Sequence, residues 1–274
     1  MKNYIAPTTL REAWSIYNTS PSNIILGGCA FLRLGKKNIG TGIDLCNLNL
    51  DYVRIHETYV EIGAMTNLRT LETNVELSAR FGGILGQSVS NIVGVSFRNT
   101  ATVGGSVFGR YGFSDLLTAL LALKAEVELY KGGILTLEAY LNLPPHFDIL
   151  ISIRIPQLKE DHIKTNILNT YYYEAFRHSK GDFPILTTAI AHDQEGFRIA
   201  VGARPMRATY ATKTMDFLNQ ISNDKSPISS EIIEYAAELA SNELTFGTNM
   251  RAGAEYRKHL CKVLVQRGLN EVLK

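Results

Sequence analysis

Cysteine, proline and tryptophan are scarce in this chain: its 274 residues include three Cys, eight Pro and one Trp. Cys29, Cys46 and Cys261 are odd in number and lack a Cys-x-x-Cys spacing. That pattern excludes a disulfide framework, gives no support to a structural zinc or a cysteine-bound cluster, and sets a reducing, cytoplasmic location as the expectation. Net charge is also nearly absent, with Lys+Arg 28 against Asp+Glu 26, or +2. So small a surplus does not make nucleic acid or an anionic membrane the default partner, and any phosphate binding must be local. The densest apolar stretch, Leu116 to Leu123, falls far short of the ~18 residues that cross a bilayer, so no membrane span is expected. The opening Met-Lys-Asn-Tyr-Ile-Ala-Pro has no apolar core of a signal peptide. His56, His146, His162, His178, His192 and His259 form neither His-x-His nor His-Glu-x-x-His, and no Gly-x-Ser-x-Gly elbow occurs. Metal ligation and a hydrolase nucleophile therefore lack sequence support, and no metal is expected.

Hydrophobic residues make up 45% and charged residues 20%, which is ordinary for soluble globular chains. The length suggests about two domains. Thr8 or Thr9 can cap a helix through Leu10, Ala13, Trp14 and Tyr17, spaced along one buried face. Strands are expected at Asn23–Leu26, Asn38–Ile43, Ala125–Tyr130 and Asp148–Ile155, with a hairpin from Tyr52 to Ala64 around His56-Glu57-Thr58. Thr66 is positioned to cap the next helix, Leu77 to Val93 tends to helix, and Phe97 to Val103 is rich in β formers. Ser114-Asp115 offers a cap for an apolar helix through Leu123. The polar connection Gln157–Lys164 marks a domain boundary. Strands beyond it at Ile167–Phe176, Phe183–Ala191 and Gly196–Val201 precede helices at Ala208–Leu218, Ile228–Ala240 and Ala252–Leu269, the last with a stripe of Tyr256, Leu260, Val263 and Leu264. Strands followed by helices indicate an α+β domain.

Familiar nucleotide-binding patterns fail. Gly40-Thr41-Gly42-Ile43-Asp44-Leu45 has Leu45 where a dinucleotide turn needs its third glycine, and Gly28 and Gly35-Lys36 are too widely spaced for a P-loop. A different signal remains. Leu26-Gly27-Gly28-Cys29-Ala30-Phe31 and Val103-Gly104-Gly105-Ser106-Val107-Phe108 are two aliphatic-Gly-Gly-small elements, each expected where a strand ends. Glycine pairs allow positive φ and close approach of backbone to ligand, and successive N–H groups turned one way form an anion nest. Two such turns together can hold the two phosphates of a dinucleotide; each can equally be only a tight turn. Asp115 can accept ribose hydroxyls or serve as a helix cap. Cys29 fills the first turn and has no histidine partner. Tyr171-Tyr172-Tyr173 offers stacking surface, although alternation in a strand assigns at least one of these rings to the core. Arg204 and Arg207 fit either an interface or solvent.

These elements resemble the FAD-binding medium subunit of the molybdenum hydroxylases, the xanthine dehydrogenase and carbon monoxide dehydrogenase family, over nearly the whole chain. Leu26-Gly27-Gly28-Cys29-Ala30 is similar to the first flavin motif, and Arg98-Asn99-Thr100-Ala101-Thr102-Val103-Gly104-Gly105-Ser106 to the more specific second one. Ser114-Asp115-Leu116-Leu117, Asp148 to Pro156, Gly181-Asp182-Phe183-Pro184-Ile185, Ile199 to Ala203 and Tyr256-Arg257-Lys258-His259-Leu260 resemble later family segments.

The resemblance implies an α+β fold, with a two-lobed FAD-binding domain of the PCMH or vanillyl-alcohol-oxidase type followed by an α+β C-terminal domain of the CO-dehydrogenase-flavoprotein type. The implied domains are residues 1–158, with lobes of about 1–56 and 57–158, and residues 164–274. Noncovalent FAD is implied at Leu26, Gly27, Gly28, Cys29, Ala30, Phe31, Ala101, Thr102, Gly104, Gly105 and Ser106, with Asp115 at the ribose and Leu150 near the ring. Also implied are an iron–sulfur small subunit, a molybdopterin large subunit and electron transfer to NAD or another soluble acceptor. No side chain is assigned as acid, base or nucleophile, because the flavin carries the chemistry.

Cys29 and Ala30 depart from the hydroxyl and polar residues common in the first turn, Glu174-Ala175 stands where many relatives carry lysine, and no cysteine-rich insertion signals an additional iron–sulfur cluster. A stand-alone flavin oxidase and a flavin-free scaffold subunit are the alternative functions.

Overall fold

A short parallel sheet near the amino terminus opens the computed structural model, which describes residues 1–32, 35, 36, 38–144, 148–157, 170–224 and 226–274. The chain forms two compact units: Met1–Thr70 with Gly94–Gly109 and Lys124–Gln157, and Leu71–Val93 with Arg110–Leu123 and Leu158–Lys274. The expected boundary at Gln157–Lys164 falls almost wholly outside the described residues, as do His146, His162 and the start of the strand expected from Ile167.

In the first unit, β1 (Asn3–Ile5), β2 (Ile24–Leu26) and β3 (Thr41–Asp44) form the parallel sheet in the order β1–β3–β2. Helix α1 (Leu10–Tyr17) begins where Thr9 Oγ1 accepts the Glu12 N–H at 3.2 Å. It buries Ala13 and Tyr17 against Ile43, Leu45 and Ile149. The expected hairpin is present as β4 (Val53–Ile55) and β5 (Tyr59–Gly63). It joins β6 (Glu126–Leu129), β7 (Gly133–Thr136) and β8 (Leu150–Pro156) in an antiparallel sheet ordered β4–β5–β8–β6–β7.

Alternation along these strands buries Val60, Ile62, Val127, Ile153 and Ile155 and places Glu61 opposite Arg154. Glu61 accepts from the Tyr52 hydroxyl at 2.9 Å and lies 3.1 Å from His56 Nε2. Burial pushes the Glu61 carboxyl up, but the hydrogen bonds from Tyr52 and His56 and the Arg154 charge outweigh it and hold the group below its ordinary value.

Local chemistry shifts two expected features. The Thr66 hydroxyl is occupied by Tyr52, accepting its N–H at 3.0 Å and donating to its carbonyl at 2.9 Å. Asn67 instead caps α2 (Leu68–Thr73), through Oδ1 and the Thr70 N–H at 2.9 Å. The β-rich run Phe97–Val103 is not a strand. It contains the end of α5 (Val95–Arg98), one isolated bridge at Thr102, and the start of α6 (Val103–Phe108). Thr102 Oγ1 accepts the Gly105 N–H at 3.0 Å, and this capping bond overrides the β propensity of the flanking residues.

In the second unit, β9 (Thr170–Phe176), β10 (Leu186–Asp193), β11 (Gly196–Gly202) and β12 (Thr209–Tyr210) form an antiparallel sheet ordered β12–β11–β10–β9. The helical tendency of Leu77–Val93 resolves into α3 (Val75–Arg80) and α4 (Ile84–Ser90), separated at Gly82 and Gly83, whose φ values are 55° and 74°. Helix α7 (Asp115–Ala122), capped by Ser114 Oγ, is buried along its whole length against one sheet face. There Thr118 and Thr187 hydroxyls meet at 2.8 Å, and Arg198 Nε donates to the Ala122 carbonyl at 2.8 Å.

The opposite sheet face presents Ile190, Phe197, Ile199 and Val201 to α10 (Ser230–Glu243) and α11 (Ala254–Val272), with α9 (Thr212–Asn223) also packed on β11. The seam of α11 is rotated from the expected stripe. Tyr256 is 47% exposed, whereas Arg257, Leu260, Cys261, Leu264, Val265, Gly268 and Leu269 are buried. Gly268 causes the close approach: a Cβ there would lie 2.6 Å from Tyr172 Cδ1 and 2.7 Å from Ile190 Cδ1. Helix and sheet together give the α+β class expected from sequence.

Gly268→Val overpacks this seam and is expected to destabilise the protein by about 1–3 kcal/mol, seen as a lowered denaturation midpoint. Glu61 gives a pH-dependent test. Its depressed pKa contributes stability above the unfolded carboxylate value, and that contribution disappears as pH falls through the folded value. Glu61→Gln should therefore lose about 1–3 kcal/mol near neutral pH and converge with the native protein in acid. Parallel urea titrations across pH check this.

Candidate functional site

Strand β2 ends in a loop whose shape follows from its glycines. Gly28 and Cys29 both take positive φ, 70° and 55°. Glycine tolerates this region and cysteine takes it at a cost, so two consecutive left-handed residues turn the chain sharply. A side chain at Gly28 would overlap the Thr100 carbonyl oxygen, and one at Gly27 would lie 3.0 Å from Thr102 Oγ1. Across from them, a Cβ at Gly105 would lie 2.7 Å from the Gly27 carbonyl oxygen. The two sequence-matched glycine pairs are therefore backbone to backbone within the first unit.

Their donors have different fates. The second pair does not end a strand; it lies in the first turn of α6, and its N–H groups are consumed internally. Val103 N–H donates to the Thr66 carbonyl at 2.8 Å, Gly104 N–H to the Ala64 carbonyl at 2.8 Å, and Gly105 N–H to Thr102 Oγ1. Ser106 is also turned inward, its hydroxyl donating to the Thr102 carbonyl at 2.9 Å. By contrast, the N–H groups of Gly28, Cys29 and Ala30 have no acceptor among the described residues. The first loop presents a short run of free backbone donors, and the second motif braces it. Such donors suit an anion, and the nearby glycines keep bulky side chains away.

The other expected positions divide among several environments. Leu26 and Ala101 are buried, Cys29, Ala30 and Phe31 are half-buried, and the Ala101 carbonyl anchors α2 by accepting the Leu68 N–H at 2.9 Å. Burial, with the Asp44 charge adding to it, pushes the Cys29 thiol up, so it is held as a neutral thiol rather than a nucleophilic thiolate. Leu150 is buried in β8 opposite Leu129.

Asp115 belongs to the second unit and is not the cap of α7; Ser114 fills that position. Asp115 Oδ1 accepts from the Tyr173 hydroxyl at 2.5 Å and from Arg177. Burial pushes its carboxyl up while Arg177 pulls it down, and burial beside Asp115 drives the Tyr173 hydroxyl well above its ordinary range. The tyrosine run splits accordingly: Tyr173 faces α7, and Tyr172 packs into the α11 seam.

Sequence reading missed Arg177, the bond from Tyr173 to Asp115 and the Thr100 carbonyl. Alternation along Tyr171–Arg177 holds the signal for the first two; backbone contact at Thr100 has none. Arg204 is not solvated: it is 6% exposed and donates to the Thr245 carbonyl at 2.7 Å and the Arg207 carbonyl at 3.0 Å.

Residues 1–158 match the family described as FAD binding domain in molybdopterin dehydrogenase, and residues 171–272 match the CO dehydrogenase flavoprotein C-terminal domain. The nicotine 6-hydroxylase medium subunit of Paenarthrobacter nicotinovorans is 26% identical over 287 residues, spanning 98% of this chain and 96% of that protein. The glyceraldehyde dehydrogenase medium chain of Sulfolobus acidocaldarius is 23% identical over 294 residues and 98% of each chain. In fold, the chain is similar to one from a Hydrogenophaga pseudoflava carbon monoxide dehydrogenase, with a TM-score of 0.85 at 21% identity over 99% of this chain and 96% of the other. A chain of the Oligotropha carboxidovorans enzyme gives a TM-score of 0.86 at 20% identity over 100% and 98%.

The contrast between the glycine pairs is testable. Gly28→Ala forces a left-handed alanine, costing about 1–2 kcal/mol before its overlap with Thr100, and should lower both stability and retained ligand. Cys29→Gly relieves its own left-handed strain while keeping every N–H, so ligand retention should persist with an equal or higher unfolding midpoint. Gly104→Val does not isolate binding, because its Cβ would lie 2.6 Å from the Ala64 carbonyl oxygen. Its first effect is expected in thermal unfolding.

Proposed function

The chain belongs to the family of the FAD binding domain in molybdopterin dehydrogenase, and from that premise we propose that it works as the medium, electron-transferring subunit of a molybdenum hydroxylase. In this reading FAD is held noncovalently, the iron–sulfur clusters lie on a small partner and the molybdopterin on a large one, and NAD or another soluble acceptor takes the electrons. The medium-subunit names of full-length relatives support the assignment. The cytoplasmic setting is part of the same proposal and rests on the three unpaired cysteines.

The observation that carries the cofactor assignment is the run of free N–H groups at Gly28, Cys29 and Ala30, held open by two consecutive positive-φ residues. We assign the pyrophosphate to this run. Backbone donors replace the side-chain hydrogen bonds that Cys29 and Ala30 cannot supply, and they accept an anion without competing protein contacts. Gly104, Gly105, Thr102 and Ser106 act one step back, bonding among themselves and with Ala64 so that the first loop has a fixed floor. Asp115 commits Oδ1 to Tyr173 and Arg177. When bound, FAD supplies the capacity to exchange electrons between one-electron and two-electron partners. The chain positions that chemistry, and no proton-transfer role is assigned to a side chain in it.

Visible absorption of the purified chain, as isolated and after incubation with FAD and desalting, tests the reading. A retained flavin spectrum, with free FAD released on denaturation, is the expected result. No retained flavin after both treatments, and none in a complex co-purified with partner chains, would replace it with the scaffold function. Cys29→Ser restores a hydroxyl in the turn and should tighten retention about five- to tenfold, in keeping with one added hydrogen bond.

A further inference from the structure

The second unit contains a cavity of about 100 Å³. Phe113, Phe183, Pro184 and Pro205 supply apolar wall, and Asn249 and Arg251 supply its polar side chains. The two phenyl rings have centroids 4.4 Å apart at 60°. The Arg251 guanidinium lies 4.9 Å from the centre of the Phe183 ring, and its Nη2 is 3.6 Å from Asp182 Oδ1, beyond hydrogen-bond length.

The polar side chains of the lining offer donors. Asn249 Oδ1 accepts from Arg257 Nη2 at 2.5 Å, from the Arg251 N–H at 3.0 Å and from the Ala252 N–H at 3.4 Å. These donors fix the amide orientation and leave Nδ2 of this exposed side chain, at the mouth of the cavity, with no acceptor among the described residues. Arg251 Nε is also buried without an acceptor.

The surroundings carry uncompensated positive charge. Arg204 and Arg257 are 6% and 0% exposed. Arg204 donates to the carbonyls of Thr245 and Arg207, and Arg257 to those of Ile185 and Ala203 and to Asn249 Oδ1. All these acceptors are neutral, and neither guanidinium is paired with a carboxylate among the described residues. Burial lowers both pKa values, and for Arg257 the neighbouring Arg251 charge adds to the effect. Buried charges are ordinarily paired, so a cavity whose polar side chains donate, beside two guanidinium groups without a carboxylate, is suited to an anion, with Asp182 as the one carboxylate near Arg251.

We propose that this cavity is a binding site for a planar aromatic carboxylate, with the carboxylate on Arg251 and Asn249 Nδ2 and the ring edge against Phe113 and Phe183. Its volume is below the ~150 Å³ that encloses a benzene, so the carboxylate and near edge of a single ring enter while the remainder faces outward. The cavity is built wholly from residues of the second unit, whereas the β2 loop assigned to the pyrophosphate belongs to the first.

Benzoate titration into the purified full-length chain, both FAD-saturated and flavin-free, tests this by calorimetry and thermal unfolding. The expected result is saturable binding at one site in both forms, with acetate and benzyl alcohol binding more weakly. Arg251→Gln should weaken benzoate about tenfold or more, the scale of a lost charge-assisted hydrogen bond. Asn249→Asp retains an acceptor for Arg257 but puts a negative charge where the donor was, so it should abolish benzoate binding without lowering the unfolding midpoint. It also keeps the test decisive if Arg251→Gln does not fold. Absence of saturable benzoate binding, undiminished binding by Asn249→Asp, or equal binding of acetate overturns the proposal. Binding confined to the flavin-free chain and displaced by FAD overturns it as a separate site.

Discussion

Contact between two stretches of bare backbone governs the first unit. Gly28 sits against the Thr100 carbonyl and Gly27 against Gly105, at distances that leave no room for a Cβ. Because atoms at such separations cannot interpenetrate, the path of the β2 loop is set by the path of the chain from Thr100 to Gly105. That second segment is in turn fixed by the Thr102 cap and by the Val103 and Gly104 N–H groups bonded to Thr66 and Ala64. One motif therefore saturates its own donors and braces the other, whose donors find no acceptor among the described residues. The two glycine pairs resemble each other in sequence but divide the work of presenting donors and holding them still.

The second unit solves a different problem. Its sheet is covered on both faces, so polar groups on β9, β10 and β11 have little access to water and must find partners inside. Thr187 finds Thr118, Arg198 finds Asp193 and the Ala122 carbonyl, and Tyr173 and Arg177 converge on Asp115. These bonds orient α7 on the sheet, with hydrophobic burial supplying the bulk of the attraction. Arg204 and Arg257 are exceptions: carbonyls take N–H groups at the ends of both guanidinium groups, the Nε of each is buried without an acceptor, and the positive charge is left uncancelled. Hydrogen-bond satisfaction and charge neutrality are separate requirements.

Much of this architecture was legible from periodicity. The β4–β5 hairpin shows strict alternation, α7 follows a serine cap, and α1 keeps its apolar face at helical spacing. Legibility failed where a local hydrogen bond outweighed propensity. Thr102 turned a β-rich run into a helix start, and Tyr52 occupied Thr66, moving the α2 cap to Asn67. Short elements such as β1, β7 and α8 (Leu137–Asn142) were also missed, because three to six residues carry too little pattern and depend on their neighbours. The α11 seam was misread because periodicity treats arginine as a surface residue, and Arg257 reaches carbonyls that exist only once β10 and β11 have folded. For the candidate site, both glycine pairs stood out, but their unequal roles depend on which N–H groups find acceptors. Sequence does not carry that information.

A site made from backbone donors constrains sequence in a particular way. Side chains in the loop can change provided that none blocks the donors or forbids the left-handed turn. Gly28 is held by both limits, whereas Cys29 is held only by the cost of its φ value, which glycine would remove and a serine would share. The hydroxyl missing at position 29 therefore bears on affinity without removing the donors, and Ala30 retains the N–H that matters. The same logic separates the two regions proposed for ligands. Donors of the β2 loop belong to the main chain, so substitutions affect them chiefly through backbone path. The polar groups beside Phe183 belong to Asn249 and Arg251 and can be reversed in charge or deleted one at a time. Divergence of side chains among proteins of this fold should consequently alter recognition at the second cavity sooner than it alters the loop that follows β2.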